Sequence, residues 1–406
     1  MPSIEVIGLV VAGLLLVSVV ASKISNRVGI PALLFFLGIG WLVGSVGEFA
    51  FEDPAIAKFI GDFALIFILF AGGLDTEWSA IRPVLGKGLS LSTVGVLITM
   101  LIVGTFAWFM LGSFSSFLIG VNGISFPQGL LLGAIVSSTD AAAVFSVLRS
   151  SNLGLKGSLQ PLLELESGSN DPMAVLLTTT LINLLTGTDT SWETIVLLLV
   201  VQWVVGVVVG YGAGLFLVWS INRLNLSARG LYPVATIALV LLTYSVATFL
   251  RGNGFLAVYV AGVVQGNRPF TYEETINAFH DGFAWLMQIV MFLTLGMLSV
   301  PFQAELSAVA TVAIVISLFL MFVARPLSVF ISLAWTTMPF KEKLFIAWVG
   351  LRGSVPIVLA TFPLALAMPQ AGEIFTVVTF IVVTSVLVQG FSLAPVARWL
   401  NVGVEA

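Results

Sequence analysis

Apolar runs of membrane-spanning length follow one another along the whole chain, and the charges fall almost wholly in the short stretches between them. Nothing else constrains the fold as strongly, because a soluble domain needs a charged exterior. Only 9% of the 406 residues are Asp, Glu, Lys or Arg, 59% are hydrophobic and the mean hydropathy is +1.12. Lipid is therefore the main solvent, and a hydrocarbon core about 30 Å thick asks for roughly 20 apolar residues per helical crossing. Backbone N–H and C=O groups find no water there, so each crossing pairs its own as a helix. The first run, Ile4 to Ala21, has no basic stretch before it and no small-residue cleavage site after it, which marks a retained helix. The absence of cysteine excludes disulfides and thiolate metal sites. No segment has the composition of a second, soluble domain.

Charge, Pro and Gly punctuation predicts thirteen spans, at about 4–22, 31–47, 58–76, 84–111, 127–149, 157–185, 193–220, 230–249, 254–267, 279–299, 306–337, 342–368 and 373–400. The formal net charge of −4 matters less than where the charges lie. Alternate loops collect Lys23, Arg27, Arg82, Lys87, Arg149, Lys156, Arg223, Arg229, Arg268, Lys341, Lys343 and Arg398, whereas the other set holds only Lys58 and Arg251. The positive-inside rule places the rich set in the cytoplasm, with the N-terminus outside and the C-terminus inside. An error of one in the helix count mixes the two sets, so their separation supports an odd number.

An odd number fits two inverted six-helix repeats, about 1–186 and 230–400, around a linking helix at about 193–220. Gly40 and Gly44 in the second span match Gly262 and Gly266 in the ninth, although glycine is common in membrane helices. Spans five and twelve, equivalent members of the repeats, are both interrupted. One carries Ser137-Ser138-Thr139-Asp140 and the other Arg352-Gly353-Ser354-Val355-Pro356.

An ionisable group at mid-membrane costs at least about 2.5–3.5 kcal/mol, so each needs a partner or a function. Asp140, Glu166, Asp171, Arg325 and Arg352 fall inside spans, and Asp75 near a cytoplasmic end. In Glu166-Ser167-Gly168-Ser169-Asn170-Asp171-Pro172, helical spacing sets Ser167, Asn170 and Asp171 on one face. Pro172 lacks an N–H, which frees the Gly168 carbonyl. An unwound segment beside Thr139 and Asp140 exposes further carbonyls. These are hard oxygen donors, suited to an alkali cation. The competing reading is a polar helix contact with a proline kink. Two buried arginines need anions, and Glu166 is the natural partner, with Arg325 the first choice and Arg352 the second. Asp75 is either an ordinary helix-end charge or part of an ion-access funnel. His280 reads as an interfacial residue, and the aromatic residues as lipid contact rather than a cofactor box.

The run Glu166-Ser-Gly-Ser-Asn-Asp-Pro172, the Thr139-Asp140 pair and Gly350-Leu-Arg-Gly-Ser-Val-Pro356 resemble the signature segments of the monovalent cation:proton antiporter family. That family includes the bacterial NhaP-type exchangers and the animal sodium/proton exchangers. Ser-Gly-Ser ahead of Asn170-Asp171-Pro172-Met173-Ala174-Val175 is most similar to the bacterial potassium/proton antiporters of cell-volume regulation. The resemblance implies that Asp171 alternately holds a proton or a cation, with Asp140, the Thr139 backbone and Ser167 as further ligands and Asn170 shaping the site. It also implies a homodimer, with spans five and twelve crossing in a mobile core. Asn170-Asp171, as opposed to two adjacent aspartates, implies electroneutral exchange. Such potassium exchangers commonly carry a cytosolic regulatory domain after the last span, and none lies within the residues up to Ala406.

The expected protein is thus an all-α polytopic transporter of the bacterial inner membrane that exchanges K+, or Na+, for H+ by competition at Asp171. It needs no cofactor and binds no nucleic acid. A gated cation channel is the alternative, but broken helices in inverted repeats suit alternating access better than a continuous pore. An enzyme is disfavoured, since there is no His or Cys cluster and no phosphate loop.

Overall fold

The computed structural model describes residues 4–28, 31–46, 51, 53–112, 123–187, 192–299 and 306–405. Helices occupy every predicted span. Among the described residues eight are long and apolar enough to cross a membrane unaided, and five more apolar helices run 10–17 residues. Several exceed their predicted bounds because polar residues extend a helix out of the apolar layer. Trp78–Leu111 starts six residues before the expected 84, and Glu273–Leu298 six before the expected 279.

Local chemistry sets the starts. Asp53 caps Pro54–Leu74 by accepting from Ala55 and Ile56, with proline in the first turn, where its missing N–H costs nothing. Ser125 and Gln128 form a reciprocal capping box ahead of Phe126–Ile135. Asn253 caps Gly254–Gly266.

Both predicted interruptions are present. Phe126–Ile135 is followed by Ala141–Ser150 after a gap at 136–140, and Phe340–Trp348 by Ser354–Ala365 after a gap at 349–353. By contrast Leu159–Thr186 runs unbroken through Pro172. Among the described residues the core is one large apolar cluster, with Ser354–Ala365 buried along nearly its whole length, and a small separate one of Ile221, Tyr232, Phe270 and Ile276. The Ile4–Val28 and Trp192–Arg223 helices are mostly exposed and apolar, a surface that suits lipid.

Where helices cross, small residues let the backbones meet. A Cβ on Gly73 would lie 3.1 Å from the Gly262 Cα, so Pro54–Leu74 and Gly254–Gly266 touch at that level. The Gly262 that echoes Gly40 therefore serves packing.

One feature lies outside the all-α expectation. Leu153–Leu155 pairs antiparallel with Gly403–Glu405, Gly154 opposite Val404, and Lys156 Nζ donates to the Asn401 carbonyl at 3.0 Å. Three residues per strand carry no alternation long enough to be recognised. The pair joins the loop after Ala141–Ser150 to the chain after Ala371–Trp399. Similarly, Trp78 N–H donates to Asn267 Oδ1 at 2.7 Å, while Gln128 Nε2 donates to Gln370 Oε1 at 2.9 Å on the opposite set of loops. These contacts group the loops as the charge alternation does.

Candidate functional site

The two gaps lie against each other. Asp140 N–H donates to the Leu351 carbonyl at 2.8 Å, and Arg352 Nε donates to the Val136 carbonyl at 2.8 Å. Each gap leaves one half-helix ending in free carbonyls and the next beginning in free N–H groups, so charge of either sign has a place. The Arg352 guanidinium takes the carbonyl ends, with Nη1 on Gly350 O at 2.6 Å. Asp140 takes the N–H ends: it caps Ala141–Ser150 by accepting from Ala143 at 2.9 Å, and its carboxyl lies against Gly353, the cap of Ser354–Ala365. Ser385 receives the Arg352 N–H and donates in turn to Gln389, whose amide reaches the Trp348 carbonyl at 2.7 Å.

Leu159–Thr186 supplies the other side. Ser167 Oγ donates to the Thr139 carbonyl at 2.9 Å and receives the Ala141 N–H at 3.1 Å. Asn170 Nδ2 donates to Thr139 Oγ1 at 2.6 Å, so Asn170 is turned into the protein and fixes the gap. Asp171 receives the hydroxyl of Ser138. Ser138, Asp140, Ser167 and Asp171 thus line one cavity of about 480 Å³. Asp75, Glu164, Asp281 and Arg149 line the same cavity. Asp75 is exposed at the C-terminal end of Pro54–Leu74.

The buried arginines divide. Arg325 Nη1 lies 2.6 Å from Glu166 Oε1, with the residues 3% and 1% exposed. A π-helical turn at Leu320–Ala324 ends at Arg325. Arg352 is equally buried and, among the described residues, makes no ion pair, bonding backbone carbonyls instead.

His280 corrects the sequence reading: it is not interfacial but 1% exposed, packed edge-on against Phe70 and Phe279. Periodicity could not show this, because burial depends on a helix from elsewhere in the chain. Ser138 is absent from the predicted ligand set, since only the tertiary crossing aims it at Asp171. Asp62 is also absent, although its spacing from Lys58 was a readable signal for an i,i+4 pair. Lys58 Nζ sits 2.5 Å from Asp62 Oδ2 and 4.1 Å from the centroid of the Phe362 ring, and belongs to a helix rather than a loop.

The family model described as "Sodium/hydrogen exchanger, transmembrane" matches residues 12–399. This chain belongs to the sodium/hydrogen exchanger family. It is 44% identical to the K(+)/H(+) antiporter NhaP of Alkalimonas amylolytica over 407 residues, which cover 100% of this chain and 68% of that protein. It is 40% identical to the K(+)/H(+) antiporter NhaP2 of Shewanella oneidensis, covering 98% of this chain and 68% of that protein. Its fold matches the sodium proton antiporter MjNhaP1 of Methanocaldococcus jannaschii with a TM-score of 0.79 at 25% identity, covering 96% of this chain and 100% of the other.

Proposed function

We propose that this chain, a multi-pass cation/proton antiporter by family, exchanges K+ for H+ one for one, with Asp171 holding either ion in turn. One observation carries the reading. Of the three acids at the crossing, Glu166 is held by Arg325 and Asp140 caps a half-helix, so Asp171 is the carboxylate in the cavity left to change partners. Around it stand hydroxyl, carbonyl and carboxylate oxygens, the donor set of an alkali ion. When a cation enters, Ser138 can turn its lone pairs to the ion; when Asp171 is protonated, the same hydroxyl can accept. Coupling follows from exclusion, because the carboxylate cannot hold both ions at once.

Potassium is favoured over sodium because two relatives near 40% identity are named K(+)/H(+) antiporters. The reading further includes thirteen crossings in two inverted repeats, a homodimer in a bacterial inner membrane, and the C-terminal side facing the cytoplasm. The cavity then opens inward through Asp75, and no chemical reaction is assigned to the protein. The channel alternative has no support from the relatives. Proteoliposomes carrying a pH dye and pulsed separately with K+, Na+, Li+ and Rb+ test the reading: proton efflux on K+ is expected, and no response to any of the four ions would refute it.

A further inference from the structure

The cavity contains a polar group that none of the roles above uses. Tyr259, on the Gly254–Gly266 helix, lines the cavity and is 5% exposed, and its hydroxyl is buried there without a well-formed hydrogen bond. Thr76 is its hydroxyl neighbour, and that side chain already gives its proton to the Gly72 carbonyl at 2.7 Å. Any contact between them leaves the lone pairs of the Tyr259 oxygen uncommitted. A buried polar atom without a partner is costly, so its place on a cavity wall points to a ligand.

Its position is specific. Glu164, Ser167, Gly168 and Asp171 recur at i, i+3, i+4 and i+7 of Leu159–Thr186, and all four line the cavity. That stripe runs about 10 Å from Glu164 to Asp171. Gly168 is its midpoint, and there the Tyr259 ring packs so closely that a Cβ would fall 2.5 Å from the Tyr259 hydroxyl oxygen. An ion that followed this stripe from Glu164 to Asp171 would pass beside that oxygen.

We infer that the Tyr259 hydroxyl and the Glu164 carboxylate form an intermediate subsite for a partly dehydrated alkali cation on its way to Asp171. The inference rests on the antiport reading above. Acids at the mouth attract a cation with its water intact, but replacing lost water needs neutral oxygen lone pairs held in position. A phenol supplies one without adding negative charge, which keeps the subsite weak enough for the ion to leave. Packing on Gly168 keeps that oxygen from swinging away. The stripe also accounts for glycine at the centre of Ser167-Gly168-Ser169: any larger residue would push Tyr259 off the path.

The test is Tyr259→Phe, which keeps the ring on Gly168 and removes only the oxygen, assayed in everted vesicles over a range of K+ and pH. The expected result is a rise in the apparent KM for K+ of about fivefold, equivalent to ~1 kcal/mol. The maximal rate and the pH profile should stay near wild type, because Asp171 is untouched. Glu164→Gln should raise KM as well, and the double variant should rise by less than the product of the two. An unchanged KM in Tyr259→Phe, a shifted pH profile, or fully multiplicative effects would overturn the subsite while wild-type exchange left the antiport reading standing. A wild-type chain that exchanges nothing would remove both.

Discussion

Arg352 donates from Nε to the carbonyl of Val136 at 2.8 Å across 216 residues of sequence, and with the Asp140–Leu351 bond it ties one broken helix to the other. Arg325, a side chain of the same charge in the same interior, pairs with Glu166 instead. The difference separates two roles that composition alone would merge.

The first prediction follows from that difference. Glu166→Gln or Arg325→Ala leaves one buried charge without its partner, a loss of about 3–5 kcal/mol. The double neutralisation should recover part of it. Arg352→Ala should also destabilise, by freeing the carbonyl ends of two half-helices, but Glu166→Gln should not rescue it. Thermal melts in detergent read all five variants, and rescue of Arg352→Ala by Glu166→Gln would show that the two arginines share the acid.

Asp171→Asn should abolish exchange and leave the melting temperature near wild type. The amide is isosteric and still accepts from Ser138, but it carries no titratable proton and no charge for the cation. Dye-reported exchange in proteoliposomes measures the first part and a detergent melt the second. Full exchange in this variant would remove Asp171 from the mechanism.

Gly353→Ala should cost most of the transport activity at near-normal expression. The added methyl would fall on the Asp140 carboxyl, which must shift to make room and so loses its place at the start of Ala141–Ser150. A helix cap contributes about 0.5–2 kcal/mol, too little to unfold the protein. Full activity would mean that Asp140 works equally well from a displaced position.

Exchange should not respond to membrane potential. On the proposed mechanism only Asp171 changes partner during the cycle and one proton replaces one cation, so the site carries the same charge whichever ion it holds. A diffusion potential of about 100 mV, worth about 2.3 kcal/mol per net charge moved, should leave the initial rate unchanged. A transport current would mean that a second group titrates, and neutralising Asp140 should then remove the current before it removes exchange.

Much of this was legible in the string of residues because lipid is an unforgiving solvent. A charge in an apolar run must have a reason, so Asp140, Glu166, Asp171, Arg325 and Arg352 declared themselves by position alone, and the alternation of basic loops sorted the two faces. The two interruptions were visible too, in hydroxyl, glycine and proline runs that a helix does not favour. Even the Glu166–Arg325 pairing could be ranked first, although no spacing rule connects residues so far apart. Only the tertiary structure decided what depends on the crossing of distant segments. Ser138 reaches Asp171 because Leu159–Thr186 passes the first gap. Arg352 lies on Val136 because the gaps meet. His280 is buried because Phe70 comes from another helix. Local sequence sets what a residue can do within a turn or two, through periodicity, capping and the cost of burial. Which carbonyl, acid or ring it meets is set by how whole helices pack, and that information is spread over hundreds of residues.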